Sequence, residues 1–331
     1  MPMRPLQLPQ DLSVLVDVIP HAFQYPENPE WSLRADEMED LVRSIRTIRR
    51  LWPLVRTLQA ISPPLRDLFR GFLWEEAGQL AGAVMTQRHG TTSLWGIAIV
   101  AVLPDYRRRG IARRLLARSV EELRERGAEK ASLSVIDQNV PAYSLYESLG
   151  FVHYGGMIEY ETSAPAAASV PSLPDGYVVE PAKRSRSWRI RYDLDRRINP
   201  PELTEYEPVV IGRYRPPAVI RPILPLIHWL ERREQKLVRV RQTRDGQVVA
   251  LARYDVPKRE GGVSSIRVFL DPACPELADY LVAYHVERAA KRAPGRRIDF
   301  FIPDWMTAVI DAAERYGFRK RIHYHNLGLT L

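Results

Sequence analysis

Residues 104–116 read Pro-Asp-Tyr-Arg-Arg-Arg-Gly-Ile-Ala-Arg-Arg-Leu-Leu, and their types could hold an anion. Arg107, Arg108 and Arg109 run straight into Gly110, Ile111 and the small Ala112. A tight turn of small residues entering a helix points several backbone N–H groups at one spot, and the helix dipole adds partial positive charge there. The chemistry is phosphate or pyrophosphate binding. The same residues also make an ordinary basic strand–helix turn, and one short motif does not separate the two readings. A second polar string follows at Asp137-Gln138-Asn139, ahead of Pro141 and Tyr146. Asn139 can cap the helix that Pro141 starts, and Tyr146 can be a core aromatic with a satisfied hydroxyl.

The elements that must position these residues are legible from periodicity. Leu94–Leu103 is an apolar run with the length of a buried strand. Behind the turn, Ile111, Leu115, Val120 and Leu123 recur at helical spacing until Gly127, a helix stop. Ala131–Ile136 reads as a short strand. The next helix carries Ala142, Leu145, Tyr146 and Leu149 on one face and stops at Gly150, before Phe151.

Taken in order, Arg107-x-x-Gly110-x-Ala112 and the string Asn139-Val-Pro-Ala-Tyr-Ser-Leu-Tyr146-Glu-Ser-Leu-Gly150-Phe151 closely resemble the GCN5-related N-acetyltransferase (GNAT) superfamily. The resemblance covers about Phe72 to Glu161. It implies an α/β fold of the α+β GNAT type, a mixed and mainly antiparallel sheet flanked by helices. It also implies acetyl-CoA as co-substrate, with no metal, and direct acyl transfer to an amine. On that resemblance, backbone N–H groups of Arg107, Arg108, Arg109, Gly110, Ile111 and Ala112 cradle the coenzyme pyrophosphate. Val100, Ala101 and Val102 pair with the pantetheine arm and give an N–H to the thioester carbonyl. Asn139 hydrogen-bonds the pantetheine or nearby backbone, and Tyr146 protonates the departing thiolate.

One position departs from part of the family. Members that acetylate protein N-termini can carry a glutamate base five residues before the asparagine, where this chain has Ser134. The base stays open among Glu75, Glu76, Asp137, a water chain, a group from the C-terminal half and the carboxylate of Leu331. The expected acceptor is therefore the primary amine of a small molecule. A protein N-terminus or lysine is the alternative, and a non-catalytic acyl-CoA-binding module is a third reading, against which Tyr146 speaks.

The C-terminal half repeats the pattern. Gly78-Gln79 and Gly246-Gln247, Pro104 and Pro272, and Gly150-Phe151 and Gly317-Phe318 stand 168, 168 and 167 residues apart. Three landmarks at one offset mean a tandem duplication. The expected division is a catalytic domain at 1–162, an Ala/Ser/Pro linker at 163–172 and a second GNAT-like domain at 173–331. This second copy has neither glycine nor arginine cluster after Pro272, and Ala313 stands where Tyr146 stands in the first. It is expected to be degenerate, giving a monomer that is an internal pseudo-dimer with one coenzyme site.

Composition adds limits. The first 162 residues hold 19 basic and 20 acidic side chains, net −1, so the chain's net +8 rests on a +9 remainder. That excess is interleaved with acids and accompanied by no nucleic-acid motif, so a solvated surface is the expectation rather than nucleic-acid binding. The single cysteine, Cys274, excludes an intrachain disulfide and suits a cytoplasmic protein. No apolar run reaches membrane-spanning length.

Overall fold

Strand and helix patterns alternate in the order the sequence gives, and they assemble into two units. The computed structural model describes residues 2–67, 69–163, 169–230, 232–259 and 262–331. Unit 1 comprises Met1–Tyr154, Pro216–Pro222 and Asn326–Leu331; unit 2 comprises Gly155–Arg215 and Ile223–His325.

The first half of the chain forms β1 (Met3–Pro5), α1 (Asp11–Ala22), α2 (Ala35–Arg50), α3 (Trp52–Ile61), α4 (Pro63–Arg66), β2 (Arg70–Glu76), β3 (Gln79–Arg88), β4 (Leu94–Val102), α5 (Ile111–Glu125), β5 (Lys130–Ile136), α6 (Val140–Glu147) and β6 (Val152–Thr162). In unit 1, β1 to β4 are antiparallel neighbours in chain order, and β5 joins β4 in parallel. A parallel neighbour needs a crossover, which α5 supplies. Its buried Ile111, Leu115, Leu116, Val120 and Leu123 pack on Phe72, Trp74 and Val84. Burial of each such side chain is worth about 1.5–3 kcal/mol, enough to fix the helix and the turn before it. Gly82 permits this closeness: a Cβ there would stand 2.9 Å from the Ala101 carbonyl oxygen and 3.2 Å from Ile111. The opposite sheet face, at Leu73, Ala83 and Met85, is covered by Leu12, Leu15 and Ile19 of α1, Ile45 of α2 and Trp52 of α3.

The far side of β5 is occupied by the chain's last residues. Ser134 Oγ donates to Asn326 Oδ1 at 2.7 Å, and the Leu331 N–H donates to the Glu129 carbonyl at 2.9 Å. Leu327 and Leu329 are buried with Leu133, Val135 and Phe151.

The second half adds β7 (Tyr177–Pro181), α7 (Arg184–Ile198), α8 (Pro201–Tyr206), α9 (Ile211–Tyr214), α10 (Leu224–Leu230), β8 (Arg233–Gln242), β9 (Val248–Pro257), β10 (Ser264–Leu270), α11 (Leu277–Arg292), β11 (Ile298–Pro303), α12 (Thr307–Arg315) and β12 (Arg319–Thr330). In unit 2, β7 to β10 are antiparallel neighbours, β11 joins β10 in parallel, and β6 lies antiparallel on the far side of β11. The topology of unit 1 recurs. β3 and β9 begin 169 residues apart (248 − 79), and α6 and α12 begin 167 apart (307 − 140). The duplicated landmarks therefore mark equivalent elements.

The units differ from the expected domain bounds. β6 runs without interruption through 152–162 and changes unit after Tyr154, while Asn326–Leu331 and Pro216–Pro222 belong with unit 1. Residues 164–168 of the expected linker lie outside the described residues. Among the described residues, no helix is long and apolar enough to cross a membrane.

Candidate active site

The turn between β4 and α5 has two left-handed residues. Arg108 sits at φ +64° and Gly110, the N-cap of α5, at φ +76°. Such alternation curls consecutive amides toward a common point and makes an anion-binding concavity. The Arg107 N–H is used by the Pro104 carbonyl, and the helix ladder starts with the Arg114 N–H on the Gly110 carbonyl. Between them, the amides of Arg108, Arg109, Gly110, Ile111, Ala112 and Arg113 make no hydrogen bond among the described residues. Helix starts always leave such orphans; here the turn extends them into one continuous row.

An open strand edge leads to that row. β4 pairs with β5 only at Leu94↔Lys130, Trp95↔Ala131 and Gly96↔Ser132, after which the two strands part. An irregularity at Met85/Thr86 leaves Ala98 as the extra residue of β4. Beyond it the Leu103 N–H donates to the Ala81 carbonyl, which makes 81↔103 a hydrogen-bonded pair. Antiparallel alternation then makes 83↔101 bonded, while 82↔102 and 84↔100 are not. The backbone groups of Val100 and Val102 therefore face the open side, whereas Ala101, buried, turns its own to β3. Val102 has already one partner there: its carbonyl accepts from Arg107 Nε at 3.3 Å.

The three arginines do three different things. Arg107 also donates from Nη2 to the Ala22 carbonyl at 2.9 Å, at the C-terminal end of α1, and lies over the Tyr25 ring. It ties the turn to the scaffold. Arg109 reaches back to the Asp105 carbonyl and to Glu76, 3.4 Å away. Arg108 is exposed and makes no side-chain contact of this kind among the described residues, which leaves its guanidinium available beside the amide row.

Asn139 caps α6, its Oδ1 accepting the Ala142 N–H at 3.3 Å; its Nδ2 is left without a hydrogen bond among the described residues. Tyr146 is buried on α6 with its ring edge-on to Phe151. Burial, and then the neighbouring Tyr25 phenol, push its pKa well above the ordinary 10, so it carries its proton at neutral pH. Tyr25, in the segment after α1, is a residue that sequence reasoning missed. Its pKa is also raised by burial and partly restored by Arg107. No local motif marks it; only the fold brings it to Tyr146.

The base candidates fare unevenly. Glu75 is paired with Arg4 at 2.8 Å. Glu76 accepts from Trp74 Nε1 at 3.1 Å. Asp137 accepts the Gln138 N–H. The hydroxyl of Ser134 is taken up by Asn326. Leu331 stands beside Glu129, before the start of β5, whereas Asn139 follows its other end. Seven strand residues at about 3.3 Å each put its carboxylate roughly 20 Å from the site.

The family described as Acetyltransferase (GNAT) family matches residues 35–151. N-alpha-acetyltransferase 30 of Schizosaccharomyces pombe is 37% identical over 82 residues, 24% of this chain and 55% of that protein. Mycothiol acetyltransferase of Thermomonospora curvata is 35% identical over 94 residues, 28% of this chain and 31% of that protein. The match thus spans about half, or less, of these curated relatives. A tandem GNAT protein from the clavulanic acid biosynthesis pathway aligns over 99% of this chain and 98% of its own, with TM-score 0.64 and 15% identity, a likeness of fold.

Proposed function

We propose that this chain, a tandem GNAT protein by family and by fold, is an acetyl-CoA-dependent N-acetyltransferase acting on the primary amine of a small molecule. The observation that carries the reading is the unbroken row of unbonded amides, Arg108 to Arg113, lying at the end of an open β4 edge. A pyrophosphate joined to an amide-bearing arm has that shape of demand: anionic at one end, backbone-like along its length.

In this reading the coenzyme supplies an activated thioester, and the protein holds, orients and protonates. The amide row and Arg108 bind the pyrophosphate. Val100 and Val102 accept and donate along the arm. An N–H of this edge aimed at the thioester carbonyl strengthens as that oxygen gains charge, so it favours the transition state over the ground state. Asn139 Nδ2 adds a donor. Tyr146 gives a proton to the departing sulfur; a phenol near pKa 10 or above is a weaker acid than a thiol near 8.5, so the donation depends on position. A small-molecule acceptor is favoured because Ser134, in place of an acidic base, is committed to Asn326.

The second copy is proposed to bind no coenzyme. The N-cap of α11, Glu276, is in ordinary helical conformation, where the first copy has a left-handed glycine, and Ala313 is fully buried at the Tyr146 position. One site per chain follows, in a monomeric enzyme.

The test is a panel of small amines, peptides and acetyl-CoA with purified protein, read by thiol release and product mass. Acetylated small amine with wild type, and turnover about 100- to 10,000-fold lower in Tyr146→Phe at unchanged CoA affinity, is the expected result. CoA binding without acetylation of any amine would leave a binding module; acetylation of peptides alone would overturn the acceptor class.

A further inference from the structure

The two copies treat one sheet face in opposite ways. In unit 1, Met85 and Ile99 are cross-strand partners on the face covered by α1 and α2, in an apolar layer. Moving both by the duplication offset of 168 gives Arg253 and Arg267, which are cross-strand partners in unit 2. Side chains so placed have Cβ atoms about 4.5–5.5 Å apart, and like charges there repel. Strand alternation confirms the face. Ile266, Val268 and Leu270 of β10 are buried in the core that includes α11, while Ser265, Arg267 and Phe269 point the other way and are half-buried.

Nearby acids balance only Arg253 of this pair. Asp255 stands 3.4 Å from Arg253 Nε, too poorly aligned for a hydrogen bond, and already accepts from Gln235 at 3.0 and 3.1 Å. Asp299 pairs with Arg297 at 2.9 Å. Asp195, buried, is held by Arg191 of α7 and by the Tyr214 hydroxyl. Arg191 itself lies over the Phe269 ring, with its charge close to Arg267. Arg267 makes no hydrogen bond or ion pair among the described residues; its guanidinium lies 5.0 Å from the centroid of Phe301. Burial, then Arg253 and Arg191, push its pKa down to about 10, the opposite of a solvated surface arginine. Four guanidiniums, of Arg191, Arg253, Arg267 and Arg297, thus meet three committed carboxylates, Asp195, Asp255 and Asp299, among aromatic rings.

We propose that unit 2 carries an anion site of its own, formed by Arg253, Arg267 and Arg191 with Phe269 and Phe301, that takes the carboxylate of a small apolar acid. One negative charge balances the surplus, a carboxylate can accept two parallel N–H bonds from the Arg267 fork, and the rings suit an apolar body. The second copy has then exchanged two positions of that apolar layer for a ligand site, beside the retained Leu194, Ile198 and Leu251, and this holds whether or not unit 1 transfers acetyl groups.

The test titrates the full-length protein with benzoate, and separately with inorganic phosphate, by calorimetry and thermal unfolding. The expected result is saturable benzoate binding with a rising melting temperature. Arg267→Met should abolish the benzoate effect without lowering the melting temperature measured in its absence. Arg267→Lys, which keeps charge but not the fork, should weaken binding at least tenfold. No saturable benzoate binding, the same benzoate response in wild type and both variants, or tighter binding of phosphate than of benzoate would each overturn the proposal.

Discussion

Gly110 separates two contributions to the proposed coenzyme site, because its substitutions can be made to differ in charge alone. At φ +76° an alanine has a Cβ in the left-handed region, costing about 1–2 kcal/mol. There is room for it: the nearest heavy atom to such a Cβ is Arg114 Nη2 at 3.5 Å, ordinary contact. Gly110→Ala should therefore lower the melting temperature by about 2–8 °C for a unit of this size. If the turn relaxes to relieve the strain, the amide row disperses and CoA affinity falls with it. Gly110→Glu shares that backbone cost and adds a negative charge. At roughly 6 Å from a bound pyrophosphate and an effective dielectric of about 20–80, repulsion is about 0.7–3 kcal/mol per opposing charge. CoA should then bind the glutamate variant about 3- to 150-fold more weakly than the alanine variant. Calorimetry with CoA at fixed, low ionic strength reads both steps. Equal affinity in the alanine and glutamate variants would refute an anion at this turn, and wild-type affinity in both would refute the site entirely.

The adjacent arginines should split by function. Arg108→Ala should weaken CoA binding about 10- to 100-fold at unchanged urea stability, since one charge-assisted bond is worth about 1.5–3 kcal/mol. Arg107→Ala should instead cost stability, because the carbonyls of Val102 and Ala22 lose their donor. In unit 2, Glu159 and Arg321 are both buried and 2.7 Å apart. Arg321→Met should destabilise by about 3–5 kcal/mol in denaturant unfolding, and adding Glu159→Leu should recover most of it. His285 is fully buried, and burial holds its pKa down at about 4 against an ordinary 6.5. The unfolded chain therefore takes that proton first. Stability is unaffected above pH 6.5 and falls between pH 6.5 and 4, by at most about 3 kcal/mol, a loss that unfolding curves of His285→Phe should not show.

The order of elements was legible because each depends on local pattern. The Leu94 run, the Ile111–Leu123 stripe and the Gly150 stop fall where β4, α5 and the end of α6 are. The chemistry of individual side chains was less so. In sequence, Arg107, Arg108 and Arg109 are three equal cations. Only the fold brings the Ala22 carbonyl to the first and Glu76 to the third, leaving the middle one available. The parity of β4 was equally hidden. Whether Val100 and Val102 or Ala101 face the open edge depends on the register to β3 and on the extra residue at Ala98, and residue types do not encode either. Tyr25 was out of reach for the same reason, as a contact made through tertiary packing.

The compact units depart from a break at 162 for a different physical reason, which bears on how the duplication works. A break at 162 assumes that each copy finishes its own sheet. β5 instead takes its outer neighbour from the chain's end, where Leu327 and Leu329 fill the core around Phe151, and β11 takes its outer neighbour from β6. The apolar alternation of β6 and of β12 satisfies either partner, so periodicity alone cannot choose. Once the last strands are shared out in this way, neither copy can be removed without stripping a strand from the other's core. In unit 2 much of the core lies on the α11 face, and on the opposite face Arg253 and Arg267 stand beside buried Leu194, Ile198 and Leu251 where the first copy has Met85 and Ile99, so the proposed anion site replaces only part of that apolar layer.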